Sequence, residues 1–75
     1  METSSLARSF GEAVRRLRKE RGFSQEGFAD HCGIHRTYMG SIERGEKVVS
    51  IDMAAKLAAG LDLTLAGLFR EVEHQ

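Results

Sequence analysis

His31, Cys32 and His35 fall within five residues, and imidazole and thiolate are both frequent zinc ligands. The cluster lacks what a structural site needs. Three such ligands without a fourth do not close a tetrahedral shell, and Gly33 interrupts any helix between them. No metal and no other cofactor is expected. Cys32 reads instead as a small buried hydrophobe. Ser24, Ser41, Ser50 and the histidines show no nucleophile-elbow wording, and no phosphate-binding glycine loop is present. An enzyme is not expected. A different chemistry starts at Arg36. Arg36, Thr37 and Ser41 are hydrogen-bonding side chains at helical spacing. With Met39 and Ile42 turned inward they point outward, together with Gly40 and Arg44.

The elements that must hold those residues are helical almost throughout. Leu6, Phe10, Ala13, Val14 and Leu17 form one stripe of a first helix, with Ser4 or Ser5 as its cap and Gly22 as its stop. Its charges Arg8, Arg15, Arg16 and Lys19 read as a solvated face, with Glu12–Arg16 and Arg16–Glu20 at i,i+4 spacing. Ser24 caps a short second helix with apolar Phe28, Ala29 and Cys32, ended by Gly33. A third helix runs from His35 or Arg36 to Arg44, with Gly45 as its stop. Ser50 caps a fourth, carrying Ile51, Ala54, Ala55, Leu57 and Ala58 and ended by Gly60. Thr64 caps a fifth, with Leu65, Leu68, Phe69 and Val72 on one face.

Composition fits one small domain over residues 1–75. The chain is 41% hydrophobic and 29% charged, with eight glycines and no proline, so glycine supplies the breaks. There is no apolar run of the ~18 residues that reads as a membrane span, and no secretory leader is expected. The lone cysteine fits a reducing, cytoplasmic setting. Net charge is zero, but it is unevenly spread. Residues 8–47 carry nine basic and six acidic side chains, whereas residues 48–75 carry two basic and four acidic ones. This asymmetry suggests two functional faces.

The second and third helices, separated by a tight break at Gly33 and Ile34, have the layout of a helix-turn-helix, whose second helix enters a DNA major groove. The sequence resembles the Cro/C1-type (xenobiotic-response-element) regulators. The resemblance rests on Ser24-Gln25-Glu26-Gly27-Phe28-Ala29, on Gly33-Ile34-His35-Arg36-Thr37-Tyr38-Met39, on Ile42-Glu43-Arg44-Gly45, and on Leu61-Asp62-Leu63-Thr64-Leu65 through Leu68-Phe69. The Arg36-Thr37-Tyr38 and Ile42-Glu43-Arg44-Gly45 wording is most similar to controller proteins of restriction–modification systems. Gly27 and Gly40 depart from the pattern. Gly40 either permits close approach to DNA or is a neutral weakness.

The resemblance implies an all-α, five-helix, lambda-repressor-like domain, with the helix-turn-helix at about 24–45 and a C-terminal helix at about 64–73. It implies base reading by Arg36, Thr37 and Ser41, for which arginine's two donors suit guanine. It implies phosphate binding by Gln25 at the start of the second helix. Arg44 suits the same role. For three residues the alternatives stay open: Tyr38 contacts phosphate or edges the core, Lys47 reaches the backbone or is solvated, and His35 caps the third helix or faces a phosphate. It also implies an ion pair between Arg18 and Glu43 that holds the recognition helix without touching bases.

The C-terminal part is more apolar than one small core needs, with Leu61, Leu63, Leu65, Leu68, Phe69 and Val72 within twelve residues. Some of these must close the core; the resemblance implies that the fifth helix, through Leu65, Leu68, Phe69 and Val72, forms a twofold dimer interface, against the alternative of a monomer with a capping helix. The expected partners are double-stranded DNA, a second copy and, for an activator, RNA polymerase; no membrane and no small-molecule ligand is expected. The function expected is a bacterial or phage-encoded transcriptional regulator on a roughly palindromic operator, as a restriction–modification controller or a prophage-type repressor. An antitoxin-like or adaptor module that binds protein is the alternative from another class.

Overall fold

Hydroxyl side chains start three of the five helices in the computed structural model, which describes residues 4–74. The elements are α1 (Ser4–Glu20), α2 (Gln25–Cys32), α3 (Arg36–Glu43), α4 (Ile51–Gly60) and α5 (Leu65–Glu73). Ser24, Ser50 and Thr64 each accept a hydrogen bond from the backbone N–H three residues on, at 2.9 Å, 3.0 Å and 2.9 Å. Each thereby satisfies one of the donors a helix start leaves open. Ser4 and Ser5 already lie inside α1, so neither caps it, and the residue before them falls outside the described residues.

One core gathers all five helices. Val14, Phe28, Met39, Ile42, Leu57, Leu61 and Leu68 are its largest fully buried side chains. Each such burial contributes roughly 1.5–3 kcal/mol against the entropy of ordering the chain. The inward face of α1 consists of Ala7, Phe10, Ala13, Val14 and Leu17. Leu6, expected on that stripe, is instead 66% exposed, because Ala7 takes the inward place on the first turn and Leu6 is turned aside. Ile51 and Ala55 are likewise exposed, so α4 buries only Ala54, Leu57 and Ala58 among the apolar set expected of it.

Two close crossings fix the α2–α3 pair, one on each helix. At Gly11 an added Cβ would stand 2.7 Å from the carbonyl oxygen of Glu43 and still nearer that of Ile42, so α1 lies directly on the end of α3. At Gly60 an added Cβ would stand 2.5 Å from Cys32 Sγ, which joins α4 to α2. Gly60 is therefore not the stop expected of it. It is the last residue of α4, and the chain reverses two residues later at Asp62, whose φ is +63°. The Leu63 N–H then donates to the Ala58 carbonyl at 2.9 Å, closing the helix end. Asp62 bears the left-handed conformation because the glycine is needed for packing.

α1 and α5 are tied at their polar edges. The Arg16 guanidinium donates to Glu71 at 2.8 Å and to Glu20 at 3.2 Å, and Arg21 Nε donates to the Leu61 carbonyl at 2.8 Å. The first of these was not anticipated, since Arg16 had been read as a solvated charge. Among the described residues no helix is long and apolar enough to cross a membrane.

Candidate nucleic-acid interface

The break between α2 and α3 is three residues long. Gly33 takes φ +75°, and the Ile34 N–H donates back to the Ala29 carbonyl at 2.9 Å. The chain leaves this turn extended at His35, whose Nδ1 accepts from the Thr37 N–H at 3.0 Å. His35 is thus the cap of α3, and its side chain is exposed. His31 lies across the face of Phe23 at 4.9 Å between ring centroids. The two imidazoles are therefore engaged separately, and among the described residues no three ligand-type side chains converge on a metal-sized site.

The buried side of α3 is Met39, Gly40, Ile42 and Glu43. Arg36 and Thr37 are exposed, Ser41 is partly exposed, and Arg44 follows at the C-cap. Gly40 departs from the outward position expected of it. It is buried beneath its neighbours: a Cβ there would stand 3.1 Å from Arg44 Nη1 and 3.3 Å from Gln25 Oε1. The glycine lets the Arg44 and Gln25 side chains lie close against the α3 backbone. Ser41 Oγ donates to the Thr37 carbonyl one turn earlier at 3.2 Å, so in this conformation its proton serves the helix and its oxygen stays available as an acceptor.

Glu43 is the hub beneath this surface. Its Oε2 accepts from Arg18 Nε at 2.7 Å, and its Oε1 accepts from Arg18 Nη2 at 3.0 Å and from Gln25 Nε2 at 3.0 Å. Arg18 Nη1 also donates to the Phe23 carbonyl at 2.9 Å. The ion-pair side chains are 7% and 3% exposed, and no buried side-chain nitrogen or oxygen among the described residues lacks a partner. Charges this buried are tolerable only when fully paired and hydrogen-bonded. The network fastens α1, α2 and α3 together. Gln25, assigned to phosphate, is held by it, but an amide nitrogen carries two protons and one bond to Glu43 leaves the second for an anion.

Two partners of the outward cations went unanticipated. Arg36 Nη1 lies 3.1 Å from Glu26 Oε2, and Arg44 Nε lies 2.9 Å from Glu46 Oε2 with a second contact of 3.2 Å. The Arg44 hydrogen bond holds the Glu46 carboxyl below its ordinary range; desolvation opposes this, and the charges of Arg44 and Lys47 add to it. The Arg44–Glu46 spacing of two residues was available to inspection. The Arg36–Glu26 contact arises only once the turn folds α3 back against α2. Lys47 is exposed in the following loop, and Tyr38 is half-buried against the core, its ring at the edge expected by one of its two readings.

The four residues expected at a dimer interface separate. Leu68 and Val72 are 0% and 3% exposed within a single chain, because they close the core against α1 and α4. Leu68 has no surface to offer a partner, and Val72 shows only at the floor of the groove it lines beside Phe69. Leu65 is half-buried against the same core. Phe69 is partly exposed and leans on Phe10 at 5.7 Å between ring centroids. It shares an apolar groove of about 700 Å³ with Leu6, Val48 and Ile51. Those three are 66–77% exposed, and sequence periodicity missed them as a group because they come from three separate elements.

This geometry, a short helix pair with a tight turn and a rigidly anchored, polar second helix, is that of a helix-turn-helix regulator. The chain belongs to the helix-turn-helix family HTH_3, whose family model matches residues 14–68. It is 43% identical over 67 residues to the control protein C.MunI from a Mycoplasma species, covering 88% of this chain and 90% of that one. Its fold is similar to the restriction-modification controller protein C.AhdI from Aeromonas hydrophila, with a TM-score of 0.80 and 41% identity over 84% of this chain and 96% of that one. It is also similar to the controller protein C.Esp1396I, solved as a tetramer with its natural 35 base-pair operator. There the TM-score is 0.84 and the identity 25%, over 92% of this chain and 91% of that one.

Proposed function

We propose that this protein is a sequence-specific transcriptional regulator that binds DNA as a homodimer, and that it serves as the controller of a restriction–modification system. The observation that carries the reading is the anchoring of α3. A fully bonded Arg18–Glu43–Gln25 network fixes the helix from beneath, while Arg36, Thr37 and Ser41 remain on its open side. Rigid placement of a few hydrogen-bonding side chains is what reading base edges in a major groove requires.

Arg36 donates to guanine, and Thr37 and Ser41 offer hydroxyls and a methyl to neighbouring bases. Gln25, His35, Tyr38, Arg44 and Lys47 address phosphates on either side, which position the helix without reading sequence. Likeness to control proteins over nearly the whole chain supports the controller role in particular. A prophage-type repressor would use the same surface.

The dimer forms through the groove of Leu6, Val48, Ile51 and Phe69. These are the large exposed apolar side chains among the described residues, and they lie together rather than scattered. An apolar patch of this kind on a small chain marks an interaction surface, and a second copy covers it symmetrically. Dimerisation doubles the phosphate contacts of a chain with zero net charge and presents two recognition helices to half-sites about 34 Å apart. The site of action is the bacterial cytoplasm.

The test is selection from a random duplex library at about 150 mM salt, where phosphate contacts alone bind weakly. The wild type is expected to enrich inverted half-sites, and Arg36→Ala to lose or relax one position in each. No enrichment by a folded wild type would falsify the reading and favour an adaptor that binds protein.

A further inference from the structure

Three cations stand on the outer side of α3 and the loop after it: Arg36, Arg44 and Lys47. Two of them are already engaged. Arg36 is paired with Glu26 at 3.1 Å, and Arg44 with Glu46 at 2.9 Å and 3.2 Å. Both pairs lie in solvent, with all four side chains 55–68% exposed. Exposed pairs of this kind contribute little to folding. The buried pair beneath α3 already anchors it, so neither surface pair is needed to hold that helix, although Glu26 also stands in the first turn of α2, where a carboxylate suits the helix N-terminus. The position of the two carboxylates is nonetheless specific. Each sits beside one of the two arginines that the DNA-reading surface presents.

We propose that Glu26 is a specificity-determining residue, which holds Arg36 self-neutralised and so opposes binding to DNA of the wrong sequence. The inference rests on the reading of α3 as the DNA-facing helix. Nonspecific affinity comes almost wholly from neutralising phosphates and releasing their counterions. An arginine already compensated by a neighbouring carboxylate gains less from meeting a phosphate. The carboxylate itself must also be brought close to a polyanion. On random sequence nothing offsets that loss. On the operator, Arg36 exchanges Glu26 for a base edge, and the hydrogen bonds it forms there recover the energy of the exchange. Glu26 therefore weakens binding to competitor DNA more than binding to the operator, whereas Glu46 stands beside Arg44, whose phosphate contact is the same on any sequence, and lowers both affinities alike. The ratio of the two affinities, not either alone, decides occupancy in a genome.

The experiment compares the full-length wild type with Glu26→Gln and Glu46→Gln, each isosteric and exposed, with unchanged melting as the check on folding. Binding is measured by fluorescence anisotropy on a random-sequence duplex and on the operator that the wild type selects. Each variant is expected to bind the random duplex about five- to tenfold more tightly at ~100 mM salt, with a salt slope steeper by about one to two per dimer. For Glu26→Gln operator affinity should rise by a smaller factor, so the specificity ratio falls, whereas Glu46→Gln, beside a phosphate-facing arginine, serves as the control in which both affinities rise alike. Equal gains on both duplexes in Glu26→Gln, or no gain on the random one, overturns the proposal. A changed base preference at one operator position in Glu26→Gln makes Glu26 a base reader and overturns its role as a filter. A wild type with no duplex affinity even at low salt overturns the DNA-binding reading itself, and the filter with it. That outcome is seen in the wild type alone and is distinct from the others.

Discussion

Arg18 and Glu43 meet in a two-pronged ion pair, with Nε 2.7 Å from Oε2 and Nη2 3.0 Å from Oε1, deep under α3. The pair joins residues 25 apart in sequence and places the acidic partner where it also accepts from Gln25. Glu43 sits at the last turn of α3, where α1 already presses on the helix through the Gly11 crossing. Position and orientation of α3 are thus set twice, once by close backbone contact and once by charge.

Breaking the pair from one side leaves a buried charge without its partner. Arg18→Ala is expected to cost about 3–5 kcal/mol, a large share of the ~5–15 kcal/mol that holds a small domain. Glu43→Gln should cost less than Glu43→Ala, because the amide oxygen can still accept from Arg18. Urea unfolding followed by circular dichroism measures both. Where Arg18→Ala remains folded, its selected DNA sequence should match that of the wild type, since Arg18 is buried beneath α3 rather than on its open side. Unchanged stability with altered sequence preference would sink this assignment.

Gly60 and Cys32 make a second, independent claim. A methyl group at position 60 would meet Cys32 Sγ at 2.5 Å and Phe28 Cε1 at 3.3 Å. Gly60→Ala is therefore expected to destabilise by about 1–3 kcal/mol through overpacking, although alanine is the better helix former. Adding Cys32→Ala removes the sulfur and should restore much of the loss. The comparison is a double-mutant cycle read by thermal unfolding. Additive effects of the two substitutions count against the close approach.

The Arg16–Glu71 bridge predicts how the fold responds to acid. The hydrogen bond from Arg16 holds the Glu71 carboxyl below its ordinary value; desolvation opposes this, and the charges of Arg16, His74 and Arg21 add to it. A carboxyl with a depressed folded pKa contributes stability above its unfolded pKa, and that contribution fades as pH falls through the folded value. In Glu71→Gln the fall in melting temperature from about pH 5 to pH 3 should be shallower than in the wild type. Parallel curves would show that the bridge is too well solvated to matter.

Much of the architecture was legible because it depends on local rules. Ser24, Ser50 and Thr64 announce helix starts through their own hydroxyls, and Gly33 and Gly45 announce ends through the left-handed backbone they adopt. The outward set Arg36, Thr37 and Ser41 follows from helical period alone once Met39 and Ile42 are placed inside. Gly60 misled because the same residue type serves close packing, while the turn fell to Asp62. Gly40 misled because a wheel shows which side a residue faces but not which long side chains fold over it. Leu68 and Val72 misled because periodicity identifies an apolar face without saying whether the chain's own helices already cover it.

That last point yields a pair of opposed outcomes for assembly. Leu68 is fully buried in one chain, so Leu68→Ala creates a cavity and should destabilise the fold by about 2–5 kcal/mol whatever the oligomeric state. Ile51 is 77% exposed on the first turn of α4 and packs on nothing it would unfold by leaving. A charge placed there cannot be buried without a partner, so Ile51→Glu should prevent a second copy from covering the groove. Sedimentation at tens of micromolar is expected to show a dimer for the wild type and a folded monomer for Ile51→Glu. The same variant should lose the paired half-site from its selected sequence while keeping weak affinity for a single one. A wild type that stays monomeric, or an Ile51→Glu protein that dimerises as tightly as the wild type, removes the groove from the interface.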